Sequence, residues 1–232
     1  MLVAARTAAW AKSGGWVNPY VTDGLVAMWD GEWNAGGGVY EESSKIWKDI
    51  AGQNDLALGL GIYFRDGRLV CNGNGCGAFR QGTLNTETVE LVLSRSSNTR
   101  SYDCVFVDSD TRYSAEKKSF GFFGKNFSSK ILWAYNYPDE NIGRLVSILV
   151  DKVNKRVYFN GVEQAPSRDA IDWAWSAAVI CVGGRNLTGA ADYTSTVCFL
   201  GEIAACRAYR RALTKDERDA NYAIDKARFN LP

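Results

Sequence analysis

The chain has 232 residues, 46% of them hydrophobic, and its eight Trp, eleven Tyr and ten Phe supply enough apolar volume for one large β domain while excluding global disorder. Its 27 basic and 26 acidic residues are well mixed and give a net charge of +1, so nothing points to nucleic acid or an anionic membrane as a partner. There is no histidine, which removes the commonest general base and the favoured zinc ligand, and no apolar run approaches the roughly 20 residues of a membrane span.

Residues 1–20 differ from the rest. The Ala-rich stretch 2–12 suits one or two helical turns, with Trp10 and Trp16 as anchors, and Gly14-Gly15 and Asn18-Pro19 break it. It reads as an N-terminal arm for attachment or assembly, or else as an element packed on the edge of the domain that follows. No signal peptide is recognisable, because a basic start is missing and Arg6 interrupts the apolar stretch. The β domain is placed at 21–232. It opens on Gly24-Leu25-Val26-Ala27-Met28-Trp29-Asp30-Gly31, a strand running into an acidic turn, and residues 34–45 are a Gly- and Ser-rich surface loop.

Strand-like runs follow at 61–65, 68–71, 77–80, 87–95, 101–108, 118–124, 129–137, 144–151, 155–160, 178–182, 195–200 and 202–209. Their β-branched and aromatic content and their spacing of about ten residues predict an all-β fold. Within 144–164, two strands are joined at Val153-Asn154-Lys155, and a second turn falls at Asn160-Gly161, the strongest short hairpin signal. After the last strand, Thr214 and Glu217 form a Thr-x-x-Glu capping box, which predicts a short helix near 214–222. The six cysteines contain no Cys-x-x-Cys. Cys71 and Cys76 are spaced to close a small disulfide loop or to stay reduced, whereas Cys104, Cys181, Cys198 and Cys206 read as small core side chains of a chain that folds in a reducing compartment.

Glycoside hydrolysis needs two carboxylates on one face of a strand. Glu87 and Glu90 fall on opposite faces, Asp108 and Asp110 end their strand, and Glu202 has no second acid beside it. Ser and Cys nucleophiles have no histidine to activate them. No catalytic residue is assigned, and the chain is not expected to be an enzyme. The best binding feature is aromatic. Trp133, Tyr135 and Tyr137 alternate along one strand, and Trp173 and Trp175 follow a loop. Flat rings suit the apolar faces of sugars, so these five are glycan-contact candidates; the alternative is that Trp133 and its neighbours fill the core.

Several of these segments resemble laminin-G-like domains, the concanavalin-A-like jelly rolls. They are the opening Gly24–Gly31 run, Trp47-Lys48-Asp49-Ile50-Ala51-Gly52, the hairpin ending Tyr158-Phe159-Asn160-Gly161, Val182-Gly183-Gly184-Arg185, and the closing 196–222 run with Arg211-Ala212-Leu213-Thr214. The resemblance covers roughly residues 24–229. It implies a two-sheet antiparallel jelly-roll sandwich with a short C-terminal helix, used as a binding or adhesion module for a glycan or protein surface. It also raises calcium at the sandwich rim, for which Asp30, Glu32, Asp49 and Asp55 are the candidate ligands; no other cofactor is implied. The family's closing strand commonly carries an acidic pair where this chain has Ala204-Ala205, which weakens the calcium expectation. The opening run is similar to those of phage and prophage structural proteins of gut bacteria. That implies a virion or a bacterial surface as the location, other virion proteins as partners through residues 1–20, and a purely structural decoration or tail role as the alternative function.

Overall fold

The computed structural model describes residues 18–32, 42–75, 77–97, 103–108, 111–116, 119–124, 131–136, 139–168, 179–184 and 198–232. Its strands are, in chain order, β1 (Leu25–Asp30), β2 (Ile46–Trp47), β3 (Leu56–Leu58), β4 (Ile62–Arg65), β5 (Arg68–Asn72), β6 (Ala78–Gln81), β7 (Thr88–Arg95), β8 (Asp103–Asp108) and β9 (Thr111–Glu116). They continue as β10 (Ser119–Gly124), β11 (Ile131–Asn136), β12 (Val146–Asp151), β13 (Arg156–Phe159), β14 (Val162–Glu163), β15 (Pro166–Arg168), β16 (Val179–Val182) and β17 (Leu200–Tyr209), followed by the helix α1 (Lys215–Phe229).

Two antiparallel sheets result, the all-β sandwich that the sequence predicts. One sheet runs β14-β13-β12-β7-β17-β5-β4, with β1 also paired to β17; the other runs β15-β11-β10-β9-β8-β16-β6-β3-β2. Apolar side chains from the two inner faces meet in one core. Two aromatic pairs cross between the sheets. Trp29 of β1 meets Phe106 of β8 at 6.5 Å between ring centroids, and Trp47 of β2 meets Phe64 of β4 edge-on at 6.0 Å. All four rings are buried, and the Trp29 indole N–H donates to the Asn54 carbonyl at 2.8 Å, so its one polar atom is satisfied.

The hairpin of β12, β13 and β14 follows the sequence reading. Asn160 and Gly161 have φ of 48° and 76°, the pair of positive values that a two-residue hairpin turn requires. This turn docks on α1. A Cβ on Gly161 would lie 2.7 Å from Cδ1 of Tyr222, so glycine is needed there for contact as well as for conformation.

Helix α1 starts as predicted. Thr214 accepts from the Glu217 backbone N–H at 3.3 Å while the Glu217 carboxylate accepts from the Thr214 N–H at 2.8 Å. The helix then runs to Phe229, beyond the expected end near 222, and closes on Asn230 in the left-handed conformation. The residues it buries against the sheet include Asn221 and Asp225, so its inner face lacks the apolar periodicity that would have marked its length. Of the expected arm, residues 1–17 lie outside the described residues; Tyr20 is packed into the domain at 3% exposure. Cys71, Cys104, Cys181, Cys198 and Cys206 are buried, while Cys76, and with it the expected small disulfide loop, lies outside the described residues.

Glu217 links the cap to pH. Hydrogen bonds from Arg211 and the Thr214 backbone hold its carboxyl at about 2, below its ordinary 4.5. A lowered folded-state value contributes stability that is present above pH 4.5 and lost as pH falls toward 2. Thr214→Ala should cost about 1 kcal/mol in urea unfolding at pH 7. Glu217→Gln should flatten the stability profile between pH 4.5 and 2, and a profile identical to that of the parent chain would remove Glu217 from this role.

Candidate functional site

The outer face of the β12-β7-β17-β1 half of the first sheet is covered by α1, through apolar contacts of Tyr222, Ile224 and Phe229 and through an ionic centre. Arg207 of β17 and Glu90 of β7 are register partners. The buried Arg207 guanidinium donates through Nε to Glu90 at 2.7 Å and through Nη1 to Asp225 of α1 at 3.0 Å, with Nη2 on the second Asp225 oxygen. Asn221 donates to Glu90 at 3.0 Å and to the Tyr209 hydroxyl at 2.9 Å. The N-terminal segment enters the same network. Tyr20 donates to Asp225 at 2.8 Å, its ring lies 4.0 Å from the Arg207 guanidinium carbon, and the Val21 N–H donates to Asn221 at 3.0 Å. Burial pushes the Glu90 carboxyl up against the opposing pull of Arg207. Burial by itself would weaken the Arg207 charge, but Asp225 and Glu90 outweigh it and hold the guanidinium well above its ordinary value.

Beside this network, between the β12-β13-β14 hairpin and the first turns of α1, lies a cavity of about 380 Å³. Its floor carries Glu90, Ser147 and Leu149, and its sheet wall carries Arg156, Tyr158, Gly161 and Glu163. Its helix wall carries Lys215, Arg218, Asp219 and Tyr222. Arg156 pairs with Glu163 at 3.2 Å, and Lys215 pairs with Asp219 one helical turn on. Arg218 instead lies 4.6 Å over the Tyr158 ring and donates to the Leu213 carbonyl at 2.8 Å.

The four acids proposed for calcium are engaged elsewhere. Asp30 and Glu32 share a cation already present in the chain, the Arg228 guanidinium, at 2.8 and 3.0 Å. Asp49 accepts the backbone N–H groups of Met28, Ala51 and Asn54 and ties the 49–54 loop to β1. Asp55 pairs with Lys48 at 2.6 Å and accepts the Asp49 N–H at 2.9 Å. This donor set does not fit a hard cation, which needs several unneutralised oxygens converging on one point. Among the described residues, no group of three or more Asp, Glu, Cys or His is arranged to hold a metal ion.

The aromatic candidates divide. Trp133 and Tyr135 lie on β11, in register with Phe122 and Phe120 of β10; Phe122 pairs with Tyr113 of β9, and Tyr113 with Phe106 of β8, a core residue. The side chains of β9, β10 and β11 lie outside the described residues, as do Tyr137, Trp173 and Trp175 altogether. Sequence reasoning missed both the cavity and the buried network. The signal for the network was present as a charge flanked by apolar residues within each of two strands, Glu90 between Val89 and Leu91 and Arg207 between Cys206 and Ala208.

With the fold and the site in view, the chain was compared with known proteins. No family model and no curated protein matches the sequence. Solved structures are similar in fold. Trypanosoma rangeli sialidase in complex with sialic acid superposes with a TM-score of 0.59 at 14% identity, over 94% of this chain and 37% of the sialidase. The botulinum neurotoxin type G receptor binding domain superposes with a TM-score of 0.57 at 13% identity, over 87% of this chain and 51% of that domain. This chain therefore spans well under two thirds of either structure, and at such identities the similarity shows the all-β sandwich fold and nothing narrower.

Replacing Arg207 tests the network. Arg207→Ala leaves Glu90 and Asp225 buried without their cation and should destabilise the chain by about 3–5 kcal/mol in urea unfolding. A loss under about 1 kcal/mol would mean that α1 is held by something else.

Proposed function

We propose that this chain is a non-catalytic binding or adhesion module that recognises a glycan or a protein surface. The observation that carries this reading is the sandwich fold itself, shared over 87% of this chain with a neurotoxin receptor binding domain and over 94% with a sialidase structure that holds sialic acid. The non-catalytic part is supported by the engagement of three of the five acids that the sequence offered for hydrolysis. Glu90 is held by Arg207 and Asn221, Asp108 accepts the Leu84 and Thr86 N–H groups, and Glu202 bridges Arg65 and Arg68. A carboxylate fixed in this way is a poor general acid or nucleophile.

The narrower identity rests on the sequence motifs. We assign the sandwich to the laminin-G-like jelly rolls and place it on a phage virion or bacterial surface, with the residues ahead of Tyr20 as its attachment arm. Deleting residues 1–17, which leaves Tyr20 in place, should keep the melting temperature within about 2 °C while weakening self-association or particle attachment in sedimentation. Unfolding on deletion would make the arm part of the domain.

A glycan array, followed by a reducing-end assay on the same polysaccharides, tests the function. Saturable binding without release of reducing ends is expected; release that a single carboxylate substitution abolishes would make the chain a hydrolase. Trp133→Ala locates the contact. A folded variant with weakened binding marks an aromatic platform of Trp133, Tyr135 and Tyr137 with Trp173 and Trp175, whereas an unfolded variant marks Trp133 as core.

A further inference from the structure

We propose that the cavity between α1 and the β12-β13-β14 hairpin binds a small hydroxylated carboxylate, the chemistry of an acidic monosaccharide, either free or at the end of a glycan. This rests on the binding-module reading and gives it a place and a ligand class. Two independent observations carry it.

The first is an orphaned hydroxyl. Tyr158 lines the cavity, is 8% exposed, and its hydroxyl makes no hydrogen bond among the described residues. Buried hydroxyls are ordinarily paired, because a covered donor that has lost water and gained nothing is costly. Arg156, 51% exposed and paired with Glu163, is drawn toward this hydroxyl but does not reach it with hydrogen-bond geometry, which leaves the hydroxyl open to a ligand. A sugar hydroxyl both donates and accepts, so it satisfies this group whichever way the Tyr158 proton points.

The second is a charge balance. Every other charged side chain on the cavity wall has an opposite charge beside it: Arg156 with Glu163, Lys215 with Asp219, and Glu90 with Arg207. Arg218 is the remainder; it has no carboxylate partner among the described residues and is held in place only by the Leu213 carbonyl and the Tyr158 ring. A stacked, positioned guanidinium with donors to spare suits a ligand carboxylate. The Ser147 hydroxyl on the floor offers a further polar contact, and about 380 Å³ accommodates a single sugar ring better than a chain of them.

The test titrates the full chain with glucuronic acid, with 3′-sialyllactose, and with glucose and lactose as uncharged controls, by calorimetry and by thermal shift. Binding of at least one acidic probe, and of neither control, is expected. Binding of glucuronic acid marks a site open to the free sugar; binding of sialyllactose alone marks a site for a glycan end. Arg218→Gln should weaken binding about tenfold or more. Tyr158→Phe should weaken it several-fold while leaving the melting temperature unchanged or higher, since it deletes a hydroxyl that makes no well-formed hydrogen bond among the described residues. A Tyr158→Phe variant that loses stability and keeps full affinity would overturn the proposal, as would acidic probes that fail to bind or that bind both variants like the parent chain. If array glycans still bind the two cavity variants unchanged, the module reading stands and this cavity is not its site; if nothing binds the parent chain on the array, the module reading itself falls.

Discussion

The buried Arg207 side chain holds three separate parts of the chain in one place. It starts in β17, turns its Nε to Glu90 of the neighbouring β7, and spends its two terminal nitrogens on Asp225 of α1, while the ring of Tyr20 lies against its flat face. Taking such charges out of water costs several kcal/mol per ion, and the cost is recovered only because each carboxylate has further donors: Asn221 on Glu90 and Tyr20 on Asp225. An apolar seat for the helix would tolerate sliding by one residue or rotation about its axis. A bidentate seat with fixed hydrogen-bond directions does not, so α1 has one register on the sheet.

That register creates the cavity. With α1 fixed by Arg207 at its middle and by Arg228, on Asp30 and Glu32, in its last turn, its first turns stand over the β12-β13-β14 hairpin. The hairpin meets them at Gly161 and Tyr222, and the gap between these contacts is lined from both sides. Beneath the sheet, the crossings of Trp29 on Phe106 and of Trp47 on Phe64 help fill the space between the two layers.

Most of the strands were legible in the sequence because their apolar and β-branched runs are bounded by turn residues, and the capping box and the Asn160-Gly161 turn could be read directly from local chemistry. What was missed was either very short, like the apolar β2 and β3, or polar. The β9 strand reads Thr-Arg-Tyr-Ser-Ala-Glu, without the alternation that marks a half-buried strand, and it exists because β8 and β10 pair on either side of it. The helix was cut short because the residues it buries are Asn221 and Asp225. The acids of the opening turns read as cation ligands because sequence spacing cannot show that Arg228, about two hundred residues away, lies between Asp30 and Glu32. The cavity residues are mostly Arg, Lys, Glu, Asp and Tyr, a composition that in sequence is indistinguishable from a solvated helix face and hairpin.

The place where Tyr20 and Val21 join the helix bears on how the sandwich carries load. Strand β1 pairs with β17 so that Leu25, at the start of one, lies beside Tyr209, at the end of the other. Tension applied through the segment before β1 and through the chain after β17 would peel these strands apart one hydrogen bond at a time, the weakest direction in which to pull an antiparallel pair. The bonds from Tyr20 to Asp225 and from Val21 to Asn221 intercept that tension before it reaches Leu25 and pass it into α1. Peeling must then begin by breaking the buried Tyr20–Asp225 bond and the part-buried Val21–Asn221 bond, so a domain tethered by this segment is held by more than the β1-β17 pair.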